Sequence, residues 1–85
     1  MKLIIISAIW CPSCLIMRPK YMNLSKKYNM EIEDYDYDTD TEIVNKYNIG
    51  DILPVCIILN NDIEIKRIIG EKSDKELDQI IEDLM

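Results

Sequence analysis

The chain has 85 residues, 48% of them hydrophobic, with no Phe, no His and a formal charge of −6. That length holds one core, so residues 1–85 are expected to form a single domain of modest stability. An acidic surface repels phosphate backbones and anionic lipid, which argues against nucleic-acid or membrane binding and favours a basic patch on a partner protein.

Residues 2–7, KLIIIS, are a short continuous apolar run and read as a strand covered on both faces. The start MKLIIISAIWC also imitates a signal peptide. Its apolar run is short, however, and Trp10 stands where processing wants a small residue. No other segment approaches the length of a membrane span. The expected location is therefore the cytoplasm, where a CxxC is catalytic or metal-binding rather than a permanent staple.

Next comes IWCPSCLIMRP, with Cys11 and Cys14 three positions apart. Cys14, Met17, Tyr21, Leu24 and Tyr28 recur at helical spacing, which predicts a first helix over 12–28 with Cys14 turned to the core and Cys11 at its opening turn. EIEDYDYD, 31–38, alternates as a second strand, and Thr39 with Glu42 reads as a capping box for a second helix carrying Ile43, Val44 and Tyr47. PVCIIL (54–59) and IEIKRII (63–69) flank NND as a hairpin. A last helix opens with a Ser73–Glu76 capping box and lines up Leu77, Ile80, Ile81 and Leu84. The order β-α-β-α-β-β-α predicts an α/β fold, a mixed four-stranded sheet with helices on both faces.

A cysteine at the first turn of a helix meets unpaired N–H groups and the positive end of the helix dipole, both of which favour a thiolate. Pro12 suits that turn, where a missing N–H costs nothing. Two residues between the cysteines let Cys14 fold back on Cys11. Cys11, expected to be exposed and activated, attacks a substrate disulfide, and Cys14, recessed behind it, then attacks the Cys11 sulfur and releases the reduced product. Zinc normally takes four Cys or His ligands, whereas this chain has three Cys and no His. The alternative from another class is a non-enzymatic metal-binding module in which the CxxC pairs of two chains share one ion. Cys56 is expected to pack in the core. Asp34, Asp36, Asp38 and Asp40 start like a calcium loop but lack its glycine and its bidentate glutamate, and read as a solvated strand end.

These residues resemble the thioredoxin family over nearly the whole chain. WCPSC resembles its active-site motif, Pro19 its helix kink, NKYNIGDILP the approach to its cis-proline, NNDIEIKRIIG its closing hairpin and glycine, and SDKELDQIIEDL its terminal helix. The resemblance implies a small thiol–disulfide oxidoreductase, a reductant of protein disulfides with Cys11 and Cys14 as the catalytic pair. It implies no cofactor beyond their reversible disulfide and no metal. Trp10, Pro12, Ser13, Leu53 and Pro54 would contact substrate, with Pro54 cis and the Leu53 backbone paired to an extended segment. The implied electron donor is a flavin-dependent disulfide reductase or glutathione, and the expected state is a monomer. Two departures stand out. The size and the Pro12-Ser13 dipeptide are closer to glutaredoxins, which makes glutathione dependence an alternative, yet the paired glycines of that group are missing. Six positions before Cys11, where thioredoxins usually carry a buried aspartate, this chain has Ile5. With no base nearby, release by Cys14 is expected to be slow and steep with pH.

Overall fold

Strand β1 (Lys2–Ser7) carries four consecutive buried residues, Leu3, Ile4, Ile5 and Ile6, because it lies inside a sheet packed on both faces. The computed structural model describes residues 1–85. The remaining elements are α1 (Pro12–Lys27), β2 (Glu31–Asp36), α2 (Thr41–Lys46), β3 (Val55–Asn60), β4 (Ile63–Ile69) and α3 (Asp74–Leu84). The sheet order is β2-β1-β3-β4, with β1 parallel to β2 and antiparallel to β3, and β3 antiparallel to β4. The expected order and fold class hold.

Side-chain alternation divides the core into two layers. Leu3 and Ile5 of β1 and Cys56 and Ile58 of β3 pack against Met17, Tyr21 and Leu24 of α1 and Leu77 and Ile81 of α3. Ile4, Ile6, Val55, Ile57 and Leu59 face the other way, toward Ile43 and Val44 of α2 and Tyr47 just after it. Each fully buried aliphatic side chain contributes about 1.5–3 kcal/mol, so both layers matter in a chain this short.

Local chemistry explains the element ends. Ser73 accepts from the Glu76 N–H while the Glu76 carboxylate accepts from the Ser73 N–H, both at 3.1 Å, completing the predicted capping box of α3. The hairpin turn is two residues rather than three: Asn60 pairs with Ile63, and Asn61 and Asp62 both take positive φ (53° and 65°). That conformation matches strand twist and is tolerated by Asn and Asp. The Thr39–Glu42 box does not form. Asp40 is the cap of α2 without a side-chain bond, and β2 ends at Asp36, two residues early. The Asp36 carboxylate instead gathers the N–H groups of Asp38 (3.1 Å) and Thr39 (3.0 Å) and the Thr39 hydroxyl (3.1 Å). The Asp40 carboxylate turns back to the Asp36 N–H at 2.7 Å. A local Asx-type turn out-competes the cap, so this acidic run closes its own loop.

Candidate active site

β1 stops at Ser7, and the chain turns through Ile9 and Trp10 before Cys11 takes the N-cap of α1 in extended conformation (φ −98°, ψ 107°). Pro12 follows in the first helical turn, where it needs no acceptor. The Cys14 N–H is shared between Cys11 Sγ at 3.3 Å and the Cys11 carbonyl at 3.2 Å, so part of the helix-end dipole points at the sulfur. All three cysteines are free thiols.

Cys11 is not exposed, contrary to expectation: only 5% of its surface is accessible, against 2% for Cys14. The reason is the loop before β3, which packs over it. The Leu53 carbonyl accepts from the Cys11 thiol at 3.6 Å. The Leu53–Pro54 peptide is cis, and the Gly70 N–H, after β4, donates to the Pro54 carbonyl at 2.9 Å, tying loop to sheet. Leu53 and Pro54 have buried side chains, so what they present beside Cys11 is backbone.

Trp10 is 58% exposed but held: its Nε1–H donates to Asp38 Oδ2 at 2.8 Å, and its ring meets Tyr37 edge to face at 6.3 Å. Ser13 donates to Glu71 Oε2 at 2.8 Å, linking the helix start to the segment after β4. Each predicted site residue thus lies at the opening of α1 or in the loop beside it. Ile9 (90% exposed) and Ile52 (65%) flank the same place and escaped the sequence reading. Ile9 lies past the first strand as read, 2–7, and is an apolar residue with no chemical signal of its own, and nothing local marks Ile52 as outward-facing.

Behind the pair, Cys14 lines a cavity of about 340 Å³ shared with Ser7, Arg18, Asp34, Asp36 and Asp40. Asp34 is held there by an ion pair with Arg18 and a 3.4 Å hydrogen bond from the Ser7 hydroxyl. Burial first, and the hydrogen bond with Cys11 second, push the Cys14 thiol up to about 12. Cys56 is fully buried in the layer beneath α1 and α3, apart from the pair, and burial raises its thiol as well. No three His, Cys, Asp or Glu gather in a metal-holding arrangement, and no helix is long and apolar enough to cross a membrane.

The family model described as Thioredoxin matches residues 1–83. The chain is 30% identical over 82 residues to a thioredoxin H-type of Fagopyrum esculentum, covering 93% of this chain and 70% of that protein. It is 34% identical over 77 residues to a thioredoxin of Borreliella burgdorferi, covering 89% and 66%. Its fold superposes on thioredoxin 1 from Thermosipho africanus with a TM-score of 0.89 at 27% identity, over 99% of this chain and 93% of that one. Family, fold and cysteine spacing agree: the chain belongs to the thioredoxin family and is a thiol–disulfide oxidoreductase.

Proposed function

We propose that the chain reduces protein disulfides, with Cys11 as nucleophile and Cys14 as resolving thiol. The observation that carries this reading is the seat of Cys11 Sγ at the open turn of α1, where the Cys14 N–H donates to it. Cys11 thiolate attacks one sulfur of the substrate, whose S–S bond breaks and releases one thiolate. Cys14 then attacks Cys11 Sγ, expels the second substrate thiolate and leaves the Cys11–Cys14 disulfide. Ile9, Trp10 and Ile52 supply apolar contact, Pro12 and Ser13 border the sulfur, and the Leu53–Pro54 backbone pairs with an extended substrate segment. A dithiol or flavin-dependent disulfide reductase, or glutathione, returns the electrons, and the protein works as a cytoplasmic monomer. Membership of the thioredoxin family favours this over a glutaredoxin-like or a metal-binding reading.

Insulin reduction with dithiothreitol tests it. Cys11→Ser is expected to abolish turnover, and Cys14→Ser to accumulate a covalent adduct at Cys11 visible by intact mass. A Cys11→Ser variant as active as the unsubstituted protein refutes the assignment.

A further inference from the structure

The exchange leaves one proton without an acceptor. Cys14 must ionise before it attacks, yet it is buried and its thiol is raised. On β1, Ile5 has no group that takes a proton. Its register partner on the neighbouring strand is Asp34. The two side chains share the face turned toward α1, and Asp34 lines the cavity on which Cys14 opens. At about 340 Å³ the cavity admits several waters, each occupying about 30 Å³ in the liquid.

Other acids on that cavity are committed elsewhere. Asp36 is engaged by Asp38 and Thr39, and Asp40 by the Asp36 N–H. Asp34 is held instead by Arg18 and Ser7, both themselves at the cavity wall. Its carboxylate is one-third exposed, so protons can pass from it to solvent (33%).

Resting on the reading of Cys14 as the resolving thiol, we propose that Asp34 is the proton acceptor for Cys14, acting through water in this cavity. In the mixed disulfide the Cys14 proton passes along the water to the Asp34 carboxylate. The Cys14 sulfur forms its bond to Cys11 Sγ, the Cys11–substrate S–S bond breaks, and its electron pair leaves on the substrate sulfur. Asp34 then returns the proton to solvent or to that thiolate. The groups facing Cys14 are Cys11 at the helix cap, Arg18 from α1, Asp34, Tyr35 and Asp36 from β2, and Asp40 from the turn after it.

The test is stopped-flow reaction of the reduced protein with 5,5′-dithiobis(2-nitrobenzoate) between pH 5.5 and 9. The first released thiolate reports attack by Cys11 and the second reports attack by Cys14. Asp34→Asn is expected to slow the second release about 100-fold at pH 7, with a rate that then climbs about tenfold per pH unit because hydroxide must do the work. Asp34→Glu is expected to recover to within about tenfold of the unsubstituted protein. A carboxylate acting only as a nearby charge moves the rate the other way, since the Asp34 charge raises the Cys14 thiol and its removal eases ionisation. Slowing of less than tenfold in Asp34→Asn, any acceleration, or a Glu variant as slow as Asn overturns the proposal. Absence of both releases in the unsubstituted protein overturns the reading of the cysteine pair, and this inference with it. A normal first release with an unslowed second overturns this inference alone.

Discussion

Removing Cys11 should make Cys14 easier to ionise without making it an ordinary thiol. In the reduced protein its thiol stands at about 12, against an unperturbed 9.0, so at pH 7 roughly one molecule in 10⁵ carries the thiolate instead of one in 100. That thousandfold deficit has burial as its first cause; the Cys11 hydrogen bond and Cys11 charge add to it, and a hydrogen bond from the Ala8 backbone opposes them. A Cys11→Ser, Cys56→Ala protein keeps Cys14 as its single thiol and deletes the Cys11 contributions while leaving the burial. Its carbamidomethylation rate by iodoacetamide, read by mass from pH 7 to 11.5, is expected to show a midpoint below 12 and above 9.0. Poor access lowers the rate at every pH but leaves the midpoint in place. Adding Asp34→Asn is expected to lower the midpoint further, because the carboxylate charge also raises the thiol. A midpoint at or below 9.0 refutes burial as the dominant cause.

Three further outcomes concern stability. The Tyr21 hydroxyl is buried without a partner; since such a group costs about 1–3 kcal/mol, Tyr21→Phe is expected to stabilise the fold by about 1 kcal/mol, or about 4–8 °C in Tm for a domain this small. A thermal scan showing a loss of similar size refutes it. Gly70 has φ +80°, and a Cβ there would meet nothing closer than Ile52 Cγ2 at 4.0 Å, so Gly70→Ala is expected to cost only the backbone term, about 1–2 kcal/mol in urea melts; an unchanged midpoint counts against it. Burial raises the Cys56 thiol above its ordinary 9.0. The folded chain then keeps a proton that the unfolded chain loses, so this contribution is intact below pH 9 and declines as pH climbs past it. Cys56→Ala is expected to flatten that decline by about 1.4 kcal/mol per pH unit, and parallel profiles for the two proteins in urea melts at pH 8–11 would show the assignment wrong.

Much of this architecture was legible because it is written in short-range chemistry. The stripe from Cys14 through Leu24, the Ser73–Glu76 box and the paired turn residues of the hairpin each involve neighbours three or four positions apart. The cysteine pair was legible for the same reason. What escaped depends on distant segments. Cys11 is covered by the Leu53 carbonyl, 42 positions away, and Trp10 is fixed by Asp38, 28 positions away. Asp34 meets the cavity only because β2 lies parallel to β1 with Ile5 and Asp34 in register. The Thr39 box failed locally, since the Asp36 carboxylate takes both the Thr39 N–H that the box would give to Glu42 and the Thr39 hydroxyl that would accept in it.

The third sulfur gains meaning from the division of the core into two layers. Disulfide exchange requires an attacking thiolate to approach along the axis of the bond it breaks, and Cys56 sits with Tyr21 and Ile58 in one layer while Cys11 and Cys14 pack in the other. With none of its surface accessible, Cys56 meets no substrate disulfide while the fold is intact. Exchange at that sulfur therefore waits on an opening of the core, and the two cysteines at the start of α1 are the ones a docked substrate reaches first.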